Sequence, residues 1–398
     1  MDSLDGIRVL DLTQFLSASY TTQILGDLGA DVIKVEPPGQ GEVYRHYGPK
    51  FIGGESTSFL SLNRNKRSLA VNLKDPRSRP LMKRLAESAD VLVENFRPGK
   101  LKAYGLDYPS LCQLNPRLIY CSISGFGQTG PYAERGGFDL VAQGMSGLMA
   151  VTGEADGPPL KVGYPITDIG AGMYAAIGIL AALAARGKSG RGQWVDTSLF
   201  ESGVAWGMMA ALNYFADGSV QGRMGSASPQ NAPYQAFRAK DGVFNVGTGN
   251  DALWIKFCQA FNLEALLQDP RYRDNAGRVA HQSSLSRDIE EAVKELPLAE
   301  CIRRLEEAGI PNGPIYSIDE VLEDPQVQAR GLVLKIDHPK AGSVLNLAFP
   351  VQLSQTPARV RSAPPLLGEH SEEILLELGF GAAKISRWTE DGVIGKEG

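Results

Sequence analysis

The first forty residues constrain the fold more than any later segment. IRVLDL (7–12) is an apolar run of strand length, ASYTTQILGDLG (18–29) spaces its apolar residues for a helix, and DVIKVE (31–36) reads as a second strand. Strand, helix and strand in that order predict a parallel pair with a right-handed crossover. The alternation continues through DVLVE (90–94) and RLIYCSI (117–123), separated by helical stretches at 77–88 and 108–114. Such alternation predicts an α/β fold with a doubly wound, Rossmann-like sheet. A helix over 169–186 and a strand at QWVDTS (193–198) follow, with a further helix running to about Phe215.

From Asp217 the texture changes. GSVQGRMGSASPQNAPYQAF is rich in Gly, Ser, Pro and Asn and has little periodicity, which marks a linker or a binding loop. Residues 234–325 alternate short strands with amphipathic helices such as LAECIRRLEEAGI, enough for a smaller α/β domain. The expected organisation is therefore a large domain from 1–216, a linker and small domain from 217–325, and a segment 326–398 that returns to the large domain.

Composition excludes several classes. With 398 residues, 43% apolar and 21% charged, the chain is an ordinary globular one. A net charge of −5 offers no broad basic face, so no nucleic-acid partner is expected. MDSLDGIRVLDL lacks the basic start of a signal peptide. The apolar run after Asp168 is interrupted by Gly170, Gly172, Tyr174 and Gly178, and reads as a buried helix rather than a membrane span. Four scattered cysteines without a CxxC pair point to a reducing cytoplasm, and four dispersed histidines give no metal spacing.

Each motif has a plain structural reading beside a functional one. The turn after the first strand, DLTQFLSAS, contains no glycine, so a dinucleotide with Glu36 on its ribose is not expected. ARGKSGRG imitates the tail of a phosphate-binding loop, but it follows a helix and reads as a glycine-capped helix end. NRNKRSLAVNLKDP concentrates Arg64, Lys66, Arg67 and Lys74, either as a solvated edge or as a phosphate-binding cluster. VENFRPGK follows a strand with an amide, a ring and a guanidinium, groups suited to a nucleotide at the C-terminal end of a parallel sheet.

The segment GYPITDIGAGMYAAIGILAAL places one carboxylate, Asp168, at the mouth of the most apolar run. Asp168 could be an N-cap, worth about 1 kcal/mol. Capping leaves Gly170, Ala171 and Gly172 unexplained, because Gly in a helix costs about 1 kcal/mol against Ala. The small residues suggest that something bulky, such as a thioester, approaches the backbone there.

Taken in order, LGADVIKVEPPGQGE, LNRNKRSLAVNLK, DVLVENFRPGKL, YCSISGFGQTGPY, GGFDLVAQGMSGLM, PITDIGAGMYAAIGILAAL, GRGQWVDTSLFES, GIPNGPI and PPLLGEH resemble the family III CoA-transferases over nearly the whole chain. The resemblance implies a catalytic aspartate at Asp168. It implies coenzyme A contacts at Phe15, Val71, Lys74, Asn95, Phe96, Arg97 and near Ala103, and a position near the reacting centre at Asp139. It further implies an interlocked homodimer with the active site at its interface, and a CoA thioester as substrate with no permanently bound cofactor. Attack by Asp168 on an acyl-CoA would give a mixed anhydride and then an aspartyl-CoA thioester, dividing one exchange between acids into balanced steps. The glycine-rich GRMGSAS (222–228) and VGTGND (246–251) are candidate lids over these water-sensitive species.

Two rivals stand against this. An α-methylacyl-CoA racemase needs an acid and a base across the substrate α-carbon, and the family's His–Asp pair would fall on Phe138 and Asp139; phenylalanine carries no proton. A non-catalytic acyl-CoA-binding scaffold would not need Asp168. Within the family the chain looks closest to the dicarboxylate branch, such as the succinate–hydroxymethylglutarate enzymes. A distal carboxylate calls for a guanidinium, and Arg45, Arg135 and Arg223 are the candidates. Leu16 stands where formyl-CoA transferase has glutamine, which disfavours an oxalate enzyme, and Ser228 stands where many relatives have histidine.

Overall fold

The computed structural model describes residues 2–395 and separates into two compact units. The first comprises Met1–Gly147, Val162–Met208 and Gln326–Gly398; the second comprises Leu148–Lys161 and Met209–Pro325. Leu148–Lys161, expected in the large domain, thus clusters with the second unit.

The first unit is built on a seven-stranded sheet. Its strands are β1 (Arg8–Leu12), β2 (Asp31–Glu36), β3 (Lys66–Val71), β4 (Val91–Glu94), β5 (Ile119–Ser124), β6 (Trp194–Ser198) and, close to the C-terminus, β12 (Ile394–Gly395). The spatial order is β12-β3-β2-β1-β4-β5-β6, with every neighbour parallel except β12. β12 runs antiparallel to β3, pairing Ile394 with Val71, and so covers an edge that would otherwise present open backbone groups. The order reverses between β1 and β4, which opens a crevice beyond the carboxyl ends of these strands.

Strand side chains alternate between faces, and each face has its own core. Leu10, Ile33, Leu69 and Leu92 pack under α2 (Arg79–Ser88) and the C-terminal helices α11 (Ser371–Glu377) and α12 (Ala382–Glu390). Val9, Val32, Val91 and Ile119 pack under α1 (Ser17–Asp27) and α5 (Ile166–Ser189). Each of these fully buried aliphatic side chains is worth roughly 1.5–3 kcal/mol.

Helix α5 is one uninterrupted helix of 24 residues. By length and composition it could cross a membrane, but 44% of its apolar window is buried inside the protein. Its glycines explain the close packing. A Cβ on Gly172 would stand 2.5 Å from the Ser17 carbonyl oxygen of α1, and one on Gly170 would collide with Ser202 and Trp206. The small residues therefore make room for neighbouring helices, not for a ligand, which corrects the expectation above. At its far end Gly190 adopts φ +70° and its N–H bonds the Arg186 carbonyl at 2.9 Å, the glycine cap read from ARGKSGRG.

In the second unit, β7 (Tyr234–Arg238), β8 (Val243–Gly247) and β9 (Asn312–Pro314) form an antiparallel sheet in the order β9-β8-β7. Phe244, Trp254, Phe257, Ile289 and Leu305 fill its core, contributed by β8, α8 (Asp251–Phe261), α9 (Gln282–Val293) and α10 (Leu298–Glu307).

Because α1 and α5 meet backbone to backbone at Gly172, Gly172→Ala is expected to push them apart and lower stability by about 1–3 kcal/mol, as overpacked sites do. Urea unfolding with an unchanged midpoint would show that the contact yields without cost.

Candidate functional site

Five loops converge beyond the carboxyl ends of the parallel strands. The loop after β1 carries Phe15, the one after β2 carries Glu42, Tyr44 and Arg45, and the one after β3 carries Lys74. Asn95, Phe96 and Arg97 follow β4, and Phe138 and Asp139 close the loop after β5.

Asp168 is the third residue of α5 and is only partly exposed. It is not the N-cap: Pro165 holds that place without a side-chain bond. The helix start is instead tied down by Asp139, at the head of α4 (Asp139–Met145). Its Oδ1 accepts from the Thr167 N–H at 3.0 Å and from the Thr167 hydroxyl at 2.8 Å, and its Oδ2 accepts from Gln143 Nε2 at 2.7 Å. The cap is thus made by Asp139 and not by Asp168. With its carboxylate spent on the cap, Asp139 acts on Asp168 through its charge.

That charge has a consequence. Burial raises the Asp168 carboxyl, Asp139 raises it further, and a hydrogen bond from Ser17 only partly offsets them, leaving it at about 7. No cation is among the groups acting on it. Tyr44 lies in the same field: burial and then Asp168 push its phenol up to about 12. Around this carboxylate stands an aromatic wall, with the Phe15 ring 5.5 Å from Tyr44 and 6.1 Å from Phe138, both edge-on. Phe138 is 67% exposed and gives the wall an apolar outer face.

The other expected contacts divide. Lys74 is exposed at the end of β3, Ala103 is exposed in the 3-10 turn Lys100–Tyr104, and Arg97 is exposed beside a cavity of about 140 Å³. Phe96 packs partly against the core, with Lys100 Nζ 5.7 Å from its ring. Asn95 faces inward: its Oδ1 accepts from the Gln14 N–H at 2.9 Å and its Nδ2 donates to the Gln14 carbonyl at 2.6 Å. Val71 is buried in the core beneath α11 and α12, so its side chain cannot reach a ligand.

Three of the four residues of the basic cluster are spent on carboxylates. Arg64 forks onto Asp27 at 2.6 and 2.9 Å, and Lys66 is buried 3.1 Å from Asp11. Arg67 bonds Asp31, Glu373 and Glu377; Lys74 alone of the four keeps a solvent-facing position. Among the candidate arginines, Arg45 is buried, bidentate on Glu36 at 2.6 and 2.8 Å, and 3.8 Å above the Phe59 ring. It cannot also hold a substrate, and Glu36 cannot reach a ribose. Arg223, in the second unit, donates to the Glu154 carbonyl at 3.3 Å. Arg135 is exposed and lies over Tyr132 and Phe126, 4.6 and 5.3 Å from the ring centres, with no carboxylate bridging it.

Of the two candidate lids, VGTGND is anchored: it ends β8, buries Thr248 against the Pro233 carbonyl, and supplies Asn250 as the cap of α8. Sequence reasoning passed over Ser17, Tyr44, Glu42 and Glu94. Glu94 is a buried carboxylic acid raised to about 7 by desolvation, with its Oε2 on the Phe96 N–H. Tyr44 and Glu42 stand in the GEVYR stretch directly after the β2 loop, where position alone was the available signal.

Asp168 thus stands in the first turn of α5 with its carboxyl raised by burial and by Asp139. The comparisons give the class: residues 4–371 match CoA-transferase family III. The chain belongs to that family and is a CoA-transferase. It is 42% identical over 395 residues to succinyl-CoA:glutarate CoA-transferase of Mus musculus, covering 99% of this chain and 91% of that protein. It is 41% identical over 381 residues to succinate–glutarate CoA-transferase of Agrobacterium fabrum, covering 94% and 95%. Among solved structures, a CAIB/BAIF family protein from Brucella suis superposes with a TM-score of 0.84 at 40% identity, covering 95% of this chain and all of that one.

The raised Asp168 carboxyl makes stability depend on pH. In the unfolded chain an aspartate titrates near about 3.9, whereas in the folded protein this one holds its proton to about 7. Between those values the folded state binds the extra proton, so stability falls as pH rises through the window and the whole penalty is present above it. Asp168→Asn should therefore raise the thermal midpoint at pH 8 and leave it near wild type at pH 4. Equal midpoint shifts at both pH values would place the carboxyl in an ordinary environment.

Proposed function

We propose that the enzyme moves coenzyme A from succinyl-CoA, or another dicarboxylyl-CoA, to a carboxylic acid acceptor, with Asp168 as the nucleophile. The observation that carries this reading is the state of Asp168: a partly accessible carboxylate, without a cation, at the start of a helix beside the sheet's crevice. A carboxylate that burial and a like charge make more basic is the stronger nucleophile once ionised.

In the proposed cycle an Asp168 oxygen bonds to the donor's acyl carbon and the C–S bond breaks, giving a mixed anhydride and CoA thiolate. The thiolate then attacks the Asp168 carbonyl, the donor acid leaves, and an aspartyl-CoA thioester remains. The acceptor acid runs both steps in reverse and restores the carboxylate. Phe138, standing before Asp139 with no proton to give, weighs against racemase chemistry.

The strand order supports a Rossmann-like CoA-binding unit, with Lys74, Arg97 and the turn at Ala103 toward the nucleotide end and Phe15 toward the acyl end. Asn95 and Val71 act through backbone positioning. Succinyl and glutaryl groups in the relatives' names point to dicarboxylates. Arg135 is the arginine best placed for a distal carboxylate because no acidic group competes for it; Arg223 retains free donors as a second candidate. A homodimer fits the exposed apolar faces: Met173 and Ile177 on α5, and Met209 and Phe215 on α7 (Met208–Asp217). Four unpaired cysteines, three of them buried, agree with a cytoplasmic enzyme.

Asp168→Ala should abolish CoA transfer while acyl-CoA still binds. Wild-type enzyme treated with succinyl-CoA and hydroxylamine should carry the modification on Asp168. Retained turnover in the variant, or a label only at another residue, would refute the assignment. Arg135→Met is expected to raise KM for a dicarboxylate acceptor by tenfold or more, as loss of a charge-assisted pair does at about 1.4 kcal/mol or above, and to leave a monocarboxylate unaffected. Parallel losses for both acceptors would return Arg135 to a structural role.

A further inference from the structure

Side chains hold three successive residues of the loop after β1. The Thr13 N–H donates to Asp11 Oδ1 at 2.8 Å and its carbonyl accepts from Lys34 Nζ at 2.9 Å. Gln14 is bracketed by Asn95 through both its N–H and its carbonyl. The Phe15 N–H donates to Glu42 Oε2 at 3.2 Å. These bonds hold Phe15 at φ +58°, a left-handed conformation that a phenylalanine rarely adopts unless its surroundings impose it.

Glu42 is an unusual residue for so small a task. It is 2% exposed, and its own N–H donates to Glu36 Oε2 at 3.1 Å. Its Oε1 is buried without a hydrogen-bond partner, 3.8 Å from Lys34 Nζ. Burying a carboxylate so incompletely satisfied is costly, and a neutral acceptor would serve the Phe15 amide without that cost. One oxygen of the side chain holds the Phe15 amide while the other faces Lys34, so Glu42 links the loop after β1 to β2. The result is seen one residue outward, where the Phe15 ring meets Tyr44 and Phe138 beside Asp168.

We propose that Glu42 is a positioning residue: by holding the Phe15 amide it sets the wall of Phe15, Tyr44 and Phe138 that keeps water from the acylated Asp168. The inference rests on the nucleophile reading above. Without the wall, a water oxygen bonds to the donor's acyl carbon of the anhydride and the acyl C–O bond to Asp168 breaks. The donor acid leaves and the Asp168 carboxylate is restored; one proton of the water ends on the CoA thiolate and the other in solvent. The enzyme then hydrolyses acyl-CoA instead of transferring CoA.

The test is the partition between hydrolysis and transfer, measured with succinyl-CoA and glutarate by following free thiol and glutaryl-CoA together. Glu42→Ala should lower kcat for transfer by about tenfold, raise free CoA released per transfer by about tenfold, and leave KM for succinyl-CoA within about twofold, the scale of a misplaced catalytic contact. Glu42→Gln, which keeps an oxygen for the Phe15 N–H, should recover most of the transfer. A folded Glu42→Ala enzyme with the wild-type partition overturns the proposal. Should Glu42→Ala fail to fold, Phe15→Ala carries the same readout, and an unchanged partition there overturns it equally. Hydrolysis that persists in Glu42→Ala combined with Asp168→Ala would also overturn it, since water would not be reaching an acylated Asp168. Transfer surviving in Asp168→Ala alone would instead refute the nucleophile, which keeps the two failures apart.

Discussion

Six buried charges on the first three strands and in the loop after β2 tie these elements together. Asp11, Lys34, Glu36, Glu42, Arg45 and Lys66 each lie at 7% exposure or less, and their formal charges balance, three against three. Lys34 and Lys66 both reach Asp11, Lys34 reaches Glu42, and Arg45 closes on Glu36. Such a set is expensive to desolvate and worth keeping only when its members are mutually satisfied. Removing one partner leaves an unmatched charge inside the sheet. The loops after β1 and β2 are therefore fixed together, and the residues they carry reach the site in one arrangement.

The same physics, run with and without cations, separates the two roles of aspartate here. Burial would raise the Asp11 carboxyl, yet Lys34, Lys66 and the hydroxyls of Thr13 and Thr22 bring it down to about 2. Asp168 is less deeply placed but has Asp139 as its charged neighbour, and it stands at about 7. One carboxylate is ion-paired and held ionised; the other has a like charge beside it and keeps its proton up to about 7. Perturbation by burial and a like charge, with no structural pairing to account for it, is the condition under which a shifted acid points to chemistry rather than architecture.

The alternating start of the chain was readable because parallel strands buried on both faces must be apolar throughout, and Val9, Leu10, Val32 and Ile33 show that directly. The glycine-capped end of α5 was readable for a similar reason, since a helix stop is a local event. The basic cluster was not. Arg64 finds Asp27 across 37 residues and Arg67 finds Glu377 across 310, so whether those cations are spent depends on pairings that no local composition carries. The glycines of α5 misled in the same way: their reason is the Ser17 carbonyl on another helix, 155 positions away. The role proposed for Asp168 came from a resemblance in ordered motifs; its electrostatic condition follows from burial first and then from Asp139, and neither the burial nor the cap that Asp139 makes on α5 is written in the local sequence.

Helix α5 offers a reason why the proposed nucleophile should open the most apolar run in the chain. One side, through Gly172, Ala175 and Ala176, is pressed against α1 and the sheet, where only small residues fit. The opposite side shows Met173, Tyr174 and Ile177 to solvent, at 39–59% exposure, a pattern that a free surface has no reason to maintain. In the proposed dimer a second chain would cover that side. A helix apolar on both sides leaves its ends as the places for charge: Asp168 in the first turn, close to any covering chain, and Arg186 and Lys188 in the last. Water would then be excluded from three directions: by the packed interior, by the aromatic wall and by the partner. On that view the apolarity of the helix is part of the chemistry, because an anhydride lasts only where water is scarce.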